Sequence, residues 1–451
     1  MVGQVGTKDM TVGNTKKIII NFAIPIFLSQ LFQQLYNMAD TLIVGKYLGT
    51  EALAAVSSSG PLIFLLVSFF NGAAMGAGVV ISRYYGARDY KKVSKAVHTN
   101  FAVGLISSTI LTIFGVIYTP DILKAMGVAA DVLPQSIEYF RYYFAGIAAM
   151  IMYNICVSTL NAVGNSVRPL IYLIISSILN IILDLLFVGE LHFGIGSAAI
   201  ATIIANFISV ILCVAFLMKK GTVYQLQIKK IHIHKEMLIA MIKYGLPTGV
   251  QNSVIGFANV LVQFNIISFG KEAMAACGSY SKIEGFAFLP INCFTMALTT
   301  FISQNLGAGK KDRAKEGARF GILTSVIFAE LIGVLTYIFA PQLIGMFDDN
   351  PEVIRIGVTQ ARTVALFFCL LSFSHCIAAV CRGVGKAFVP MLVMLGVWCI
   401  LRITYITVAM QIKHVIKLLF IAYPLTWSIS SVIFAIYYLK SNWIEGFSKS
   451  Q

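Results

Sequence analysis

Charged residues are scarce in this chain. Only 12% of its 451 residues are Asp, Glu, Lys or Arg, whereas 58% are hydrophobic and the mean hydropathy is +0.83. Soluble domains carry roughly 25% charged residues, so a water-soluble protein of this size could not cover its surface with so few. This scarcity excludes an ordinary soluble enzyme and a disordered chain, and it predicts an integral membrane protein.

Motifs for metal binding, redox chemistry and catalysis are also missing. The eight cysteines lie in apolar stretches, none forms a CxxC pair, and no His/Cys cluster has metal-ligand spacing. The sequence contains neither a nucleophile–base pair nor a phosphate-binding loop. We therefore expect no enzyme activity and no cofactor. We also expect no cleavable signal peptide, because the first apolar run, from Ile18, is too long and lacks a small-residue cleavage site.

Twelve apolar segments are long enough to cross a bilayer as helices, which takes about 20 residues each. They are continuous rather than alternating, which excludes a β-barrel. The predicted fold class is therefore an all-α integral membrane bundle of 12 transmembrane helices. The predicted spans are 16–46, 52–82, 97–119, 136–162, 169–189, 197–218, 238–268, 273–303, 318–340, 353–381, 387–411 and 415–439.

Basic residues are unevenly divided between the two sets of loops that connect these spans. The 34 Lys and Arg comprise 23 on the side of the two termini, 6 on the opposite side and 5 within spans. Because cytoplasmic loops carry the excess of Lys and Arg, we expect a multi-pass cell-membrane protein with both termini cytoplasmic. The net charge of +15 then reflects topology, so membrane lipids are expected partners and nucleic acid is not.

The two halves of the sequence repeat each other at a constant offset of 221 residues. Glycines and prolines recur at this one ungapped offset, which scattered chance identities do not explain. Matching pairs include Gly86 and Gly307, Gly164 and Gly385, Pro120 and Pro341, and Pro169 and Pro390. We interpret all four glycines as structural, closing spans before basic loops or breaking the chain before a proline.

Each repeat contains six spans, an even number, so the two lobes enter the membrane with the same orientation. Such lobes are related by a pseudo-twofold axis along the membrane normal, flank a central pathway and move by alternating access. We predict a first lobe at 1–218, a cytoplasmic linker at 219–236 and a second lobe at 237–451. Two complete lobes within one chain favour a monomer.

Several motifs resemble the multidrug and toxic compound extrusion (MATE) family across essentially the whole chain. They are LYNMADTLIVGKYLGTEALAA (35–55), SRYYGARDYKKVSKA (82–96), NAVGNSVRP (161–169), SQNLGAGKKDRAKEG (303–317) and CRGVGKAFVP (381–390). The resemblance implies a bacterial-type secondary antiporter that exports amphipathic, often cationic organic compounds in exchange for protons or sodium. Two alternatives stay open, a lipid-linked saccharide flippase of the same superfamily and a non-transporting membrane receptor or scaffold.

Two carboxylates, an amide and a hydroxyl fall at one depth of the first lobe. They are Asp40 in span 1, Asp184 and Asn180 in span 5, and Thr202 in span 6. Two close carboxylates cannot easily both ionise in a low dielectric, and clustered oxygens equally suit a small hard cation. The set resembles the first-lobe cation site of the archaeal and DinF-like branch of the family, which implies H+ or Na+ as coupling ion. The alternative is that Asp40 only stabilises a neighbouring helix.

Span 1 also contains Pro25, whose missing N–H weakens the helix. The resemblance implies that span 1 bends at this hinge when the aspartates are protonated, and a passive kink is the alternative. Polar side chains on spans 1 and 4 are candidates for lining the substrate cavity. They are Gln33, Gln34, Tyr36, Asn37, Asn154 and Asn161.

The second lobe lacks the acidic pair with which another branch of the family binds its cation, since span 7 has no acid and span 10 offers His375 instead. Glu284, Glu330 and His375 are further candidates for the substrate cavity, because ionisable residues inside spans are costly. The alternatives are that both glutamates neutralise Lys282 and Arg402 within the lobe, and that His375 is a hydrogen-bonded core residue.

Overall fold

The computed structural model describes residues 8–125, 133–191, 193–194 and 196–445. Within the first helix, the side chains of residues 41, 45 and 49–65 are not described. The repeat and motif residues 49–55 are therefore known only as helical backbone, and their side chains lie outside the description.

Helices account for all the regular structure in the described part of the chain, which contains no strand. The α-helices are α1 Thr15–Gly86, α2 Tyr90–Ala125, α3 Leu133–Ala162, α4 Val167–Asp184, α5 Gly196–Leu217, α6 Lys235–Ile267, α7 Lys271–Gly307, α8 Lys311–Ile338, α9 Ala340–Gly345, α10 Pro351–Val364, α11 Phe368–Val384, α12 Phe388–Met394, α13 Arg402–Ile412 and α14 Ile416–Lys440. Two π-helices cover Leu185–Glu190 and Leu395–Leu401, and 3-10 turns cover Ile228–Lys230, Ala365–Phe367 and Trp443–Glu445.

The prediction of twelve membrane spans is confirmed, since twelve described helical stretches are long and apolar enough to cross a bilayer. The largest difference from the predicted boundaries lies between spans 1 and 2. The sequence places a break between spans 1 and 2, whereas α1 contains both candidate spans, Thr15–Leu48 and Leu66–Gly86, in one helical element.

By their internal contacts, the described residues divide into two compact units. The first comprises residues 8–9 and 28–243, and the second comprises residues 10–27 and 244–445. The start of α1 is thus grouped with the second unit, whereas the sequence assigns it to the first lobe. The lobe boundaries derived from the sequence stay a prediction.

Small residues bring the helices of the first unit close together. A Cβ on Gly78 of α1 would lie 2.7 Å from the Ser158 hydroxyl of α3, and a Cβ on Gly115 of α2 would overlap the Phe144 ring. The Ser82 hydroxyl also donates to the Ala162 carbonyl at 3.0 Å. Such contacts stabilise membrane helices because the backbones can approach closely and polar groups find partners.

Hydroxyl groups and glycines play the same part in the second unit. Ser374 of α11 lies 3.0 Å from the hydroxyl of Ser430 in α14, and the indole N–H of Trp398 donates to that hydroxyl at 3.0 Å. Gly333 of α8 packs directly on the Ala365 carbonyl, where an added Cβ would lie 2.3 Å from the oxygen.

The repeated glycines end helices as predicted, and the structure shows how. Gly164 and Gly385 adopt left-handed φ angles of +84° and +87° after α3 and α11. At Gly385 the pattern is a Schellman motif, in which Gly385 N–H donates to Arg382 and Lys386 N–H donates to Cys381.

Helices α1 and α7 also end at the predicted glycines, Gly86 and Gly307, but neither of these is the left-handed residue. That conformation falls two positions later, on Arg88 with φ +59° and on Gly309 with φ +73°. At equivalent positions of the two repeats, the left-handed conformation is therefore adopted by an arginine in the first and by a glycine in the second.

The tenth span is interrupted near its middle. The 3-10 turn Ala365–Phe367 separates α10 from α11, so the first N–H groups of α11 lack regular helical partners. The Glu330 carboxylate of α8 accepts one of them, Cys369 N–H, at 3.0 Å. This contact gives Glu330 a structural partner.

Candidate functional site

The structure brings Asp40 and Asp184 together in the first unit. Asp184 is the last residue of α4 and is fully buried, and its carboxyl group lies within hydrogen-bonding reach of that of Asp40 on α1. Apart from this contact, Asp40 Oδ1 and both Asp184 oxygens have no hydrogen-bond partner among the described residues. Two ionised carboxylates are acceptors only, so these two can share a hydrogen bond only when one of them holds a proton.

Asn180 and Thr202 lie beside each other in the same unit. The Asn180 side-chain amide on α4 donates to the Thr202 hydroxyl on α5 at 3.3 Å, and that hydroxyl is also 3.2 Å from the Ala198 carbonyl. The Asn180 carbonyl oxygen is buried and has no partner among the described residues. Since Asn180 lies one turn before Asp184 on α4, the structure places its unpartnered oxygen one helical turn from the carboxyl pair.

An apolar cluster lies next to the site, about one turn beyond Asp40 on α1 and about one turn beyond Asp184 along the chain. It consists of Ile43, Val44, Val188 and Ala198, all buried. Ile43 and Val44 follow Asp40 by one turn, and Val188 follows Asp184 by one turn, so the cluster forms a dry layer next to the carboxyl pair. Exclusion of water on this side strengthens every electrostatic interaction of the two aspartates.

Two tyrosines lie within electrostatic range of the pair, and a third lies next to one of them. Tyr139 of α3 interacts electrostatically with both aspartates and with Tyr143, and Tyr36 of α1 does so with both aspartates. The rings of Tyr139 and Tyr143 stack with centroids 6.4 Å apart. Sequence reasoning missed these two, although their i, i+4 spacing puts them on one helical face.

The backbone changes its hydrogen-bond pattern directly after Asp184. Leu185–Glu190 forms a π-helix, and Leu191 N–H donates to the Leu186 carbonyl five residues earlier. π-Helical turns are rare and occur frequently at functional sites. No sequence signal predicted this one.

The other candidates in the first half of the chain are distributed unevenly. Pro25 is buried within α1, in the part grouped with the second unit, whereas the remaining candidates belong to the first unit. The exposed ones are Gln33 and Asn37, the half-buried ones are Gln34, Tyr36 and Asn154, and Asn161 is buried with its side-chain oxygen lacking a partner among the described residues. Of these candidates, Tyr36 lies within electrostatic range of both aspartates.

In the second unit, no ion pair within 4 Å joins the charges within spans among the described residues, so the alternative that they neutralise one another has no direct contact behind it. Glu330 accepts from Cys369 N–H, and the Lys282 ammonium lies over the Phe347 ring. Glu284 interacts with Arg402 only at longer range.

Arg402 is fully buried and directly follows the π-helix Leu395–Leu401. Its guanidinium donates to the Thr426 hydroxyl at 2.9 Å and lies over the rings of Trp398 and Tyr423, at 5.3 and 4.7 Å from their centroids. This arrangement satisfies a buried cation without a carboxylate, because aromatic faces attract guanidinium groups.

His375 contacts aromatic rings rather than polar partners. Its ring meets Trp398 and Phe288 edge to face at 5.3 and 6.1 Å, and Nε2 has no hydrogen-bond partner among the described residues. The alternative of a hydrogen-bonded core histidine therefore has no support at Nε2 and stays a prediction.

Metal clusters of three or more His, Cys, Asp or Glu side chains do not occur within the described residues. The first unit instead offers carboxylate, amide and hydroxyl oxygens at one level, which suit a proton or a small hard cation passing through rather than a resident transition metal.

The chain matches known proteins over nearly its entire length. It is 27% identical to the probable multidrug resistance protein YoeA of Bacillus subtilis over 92% of each chain. It is 25% identical to the probable multidrug resistance protein NorM of Thermotoga maritima, over 85% of this chain and 83% of that protein. Its fold matches the outward-facing structure of a multidrug resistance MATE family transporter of the MOP superfamily with a TM-score of 0.90, covering 99% of both chains at 22% identity.

The family model named MatE matches this sequence twice, at residues 25–186 and 247–408. The two matched segments correspond to the internal repeat, and together they cover most of the chain. With twelve membrane-spanning helices and transporters as its relatives, the chain belongs to the MatE family and is a multi-pass membrane protein.

Proposed function

We propose that this protein is a secondary antiporter that exports amphipathic, often cationic organic compounds in exchange for protons, or for sodium, by alternating access. The observation that carries the proposal is the contact between half-buried Asp40 and buried Asp184, in which Asp40 Oδ1 and both Asp184 oxygens otherwise lack donors among the described residues. The multidrug names of the relatives support the substrate class. Placement in the DinF-like branch stays a prediction.

The energetics of the pair explain how it would couple ion and substrate movement. Two unit negative charges about 4 Å apart repel by roughly 4 kcal/mol at an effective dielectric constant of about 20. Binding one proton, or one cation between the carboxylates, removes this repulsion and holds α1 at Asp40 against the end of α4. Loss of the proton restores it and favours an arrangement in which the carboxyl groups separate or a substrate cation compensates them.

Asn180, Thr202 and Tyr139 would tune this site. The unpartnered Asn180 oxygen adds one further ligand or acceptor at the same level. The apolar cluster of Ile43, Val44, Val188 and Ala198 would keep the carboxyl pair from water on one side, so that release occurs only when the surrounding helices move. Pro25 remains the proposed hinge of span 1.

We infer from the loop charges that both termini are cytoplasmic, with 23 basic residues on their side against 6 on the other. Spans 1 and 5 then run outward, which places Asp40 and Asp184 in the outer half of the membrane and the apolar cluster on their outer side.

The test is transport by the purified full-length protein in liposomes, with a fluorescent organic cation as substrate and with proton and sodium gradients imposed separately. We expect the wild type to respond to one of the two gradients, which identifies the coupling ion. Asp184→Asn should reduce gradient-driven transport to the level of protein-free liposomes. The matched control, Asp121→Asn, makes the same chemical change at an exposed residue of α2 and should leave transport unchanged.

Folding of the variants is checked by thermal unfolding. An asparagine at position 184 can donate to Asp40, so we expect the unfolding temperature to stay the same or to rise. Near-normal gradient-driven transport by a folded Asp184→Asn protein would remove the carboxyl pair from the coupling mechanism.

A further inference from the structure

A second cavity lies in the first unit, between the start of α2 and the linker that precedes α6. It measures about 240 Å³ and is lined by Ser94, Lys95, His98, Lys230, His232 and His234. None of these residues belongs to the carboxyl site or to the candidate substrate cavity, and the proposed transport mechanism does not use them.

Partly buried hydrogen bonds preform the walls of this cavity. Gln227 N–H donates to His98 Nε2 at 3.0 Å, and His98 Nδ1 lies 2.6 Å from the Ser94 carbonyl. Because a carbonyl can only accept, Nδ1 carries the proton and both ring nitrogens are occupied. His98, which is 2% exposed, is therefore a fixed support and is not free to bind a metal.

Thr99 fastens the other end of the same linker segment. Its hydroxyl accepts from His234 N–H at 3.1 Å and lies 3.4 Å from the His232 carbonyl. The linker residues 227–234 are thus attached to α2 at two points, and the cavity lies between these attachments.

The cavity is cationic. Lys95 and Lys230 line it with exposed side chains, and no lining residue is acidic. The linker from 219 to 235 contains five lysines and two histidines but neither Asp nor Glu. The first acidic residue after it, Glu236, lies 3.6 Å from the ammonium of Lys92, a residue outside the cavity lining.

We propose that this cavity binds a phosphate group, with Lys95 and Lys230 supplying the charge and His232 and Ser94 supplying hydrogen bonds. The phosphate belongs either to the headgroup of an anionic phospholipid or to a soluble phosphate compound. The cavity lies where α2 and α6 begin, at the ends of two candidate membrane spans. Basic pockets at the ends of membrane helices commonly hold anionic headgroups. Occupancy would hold the linker against α2, and this inference does not depend on the proposed transport function.

The test compares two double variants of the full-length protein. Lys95→Gln with Lys230→Gln removes both lining charges, whereas the control, Lys220→Gln with Lys229→Gln, removes the same charge from the linker outside the cavity lining. Binding of phosphatidylglycerol is titrated by native mass spectrometry, with phosphatidylcholine as the zwitterionic reference. In a second arm without lipid, inorganic phosphate is compared with chloride at equal ionic strength by thermal unfolding.

We expect the wild type to bind phosphatidylglycerol selectively and the lining variant to bind it about 30-fold more weakly. This factor corresponds to the loss of one lysine–headgroup interaction at each of the two substituted positions. The control should lose less than about threefold. Stabilisation by inorganic phosphate as well would identify a soluble phosphate as a sufficient ligand, and its absence would identify the lipid headgroup.

Equal losses in the two double variants would overturn the proposal, since they would reveal attraction by overall charge. Absence of binding by the wild type in both arms would overturn it as well. If the glutamine variant fails to fold, Lys95→Arg with Lys230→Arg is used instead. This variant retains both charges and should bind phosphatidylglycerol like the wild type. A folded arginine variant that loses its selectivity for phosphatidylglycerol would contradict the assignment.

Discussion

Replacing Glu330 by alanine should destabilise the second unit by about 3 kcal/mol. The Glu330 carboxylate accepts Cys369 N–H at 3.0 Å, at the break where the 3-10 turn Ala365–Phe367 interrupts the tenth span. An N–H left without a partner costs about 1–3 kcal/mol, and more where lipid replaces water. Loss of the half-buried side-chain methylene adds less than about 0.8 kcal/mol, the value for a fully buried one.

Glutamine at the same position retains a side-chain carbonyl oxygen that can accept the same N–H. We therefore expect Glu330→Gln to cost less than about 1 kcal/mol, the difference between a charged and a neutral acceptor. The two variants differ only in whether the hydrogen bond can form, so the contrast between them measures this contact.

Tryptophan fluorescence during thermal unfolding is a suitable assay, because Trp398, Trp427 and Trp443 are the three tryptophans of the chain and all belong to the second unit. For a unit of this size, about 1 kcal/mol corresponds to about 2 °C. Glu330→Ala should thus lower the unfolding temperature by about 6 °C, and Glu330→Gln by less than about 2 °C.

Asp312→Ala, which removes an exposed carboxylate of α8, serves as control and should change the unfolding temperature by less than about 2 °C. An unfolding temperature of Glu330→Ala within 1 °C of the wild type would refute the structural role of Glu330. An equal loss in the alanine and glutamine variants would do the same.

Two further predictions concern backbone strain and the buried arginine. Arg88→Gly should stabilise the protein by about 1 kcal/mol and Gly309→Ala should destabilise it by a similar amount, because the backbone is left-handed at both positions. Circular dichroism during heating measures the unfolding temperature of both variants. Shifts of the same sign in the two variants would contradict the reasoning. Arg402→Lys should lower the unfolding temperature of the second unit by about 4 °C, since lysine cannot reproduce the planar contacts with Thr426 and the aromatic rings. The same change at exposed Arg362 should have little effect, and an unchanged temperature for Arg402→Lys would show that its planar contacts do not stabilise the unit.

The features that could be predicted from the sequence are those that depend on neighbouring residues along the chain. Span lengths follow from runs of apolar residues, and the helix ends at Gly86, Gly164, Gly307 and Gly385 follow from turn chemistry. The depth of Asp40, Asp184 and Thr202 follows from counting residues along each span, because a helix rises by a constant amount per residue. Counting depth was therefore sufficient to expect these side chains at one level.

The partners of the intramembrane charges could not be predicted in this way. Electrostatic reasoning pairs Glu330 and Arg402 with opposite charges, yet Glu330 binds a backbone N–H at a break in a neighbouring span and Arg402 binds a hydroxyl and aromatic rings. Both outcomes depend on which helices are neighbours and on how each is rotated about its axis. Hydrophobic periodicity says little about how a helix is rotated about its axis when the helix is apolar on nearly all of its faces.

Composition, loop charge and the 221-residue repeat by themselves determined that this is a twelve-span helical membrane protein built from two related halves, and the family motifs indicated a transporter. Only the tertiary structure decided that Asp40 and Asp184 meet, with three of their four oxygens lacking other partners among the described residues, that Tyr139 lies within electrostatic range of both, and that the linker forms a basic cavity on α2. The physical reason is that burial of apolar residues requires only local sequence, whereas the pairing of polar groups depends on lateral helix packing, which close contacts at small residues such as Gly78 and Gly333 establish.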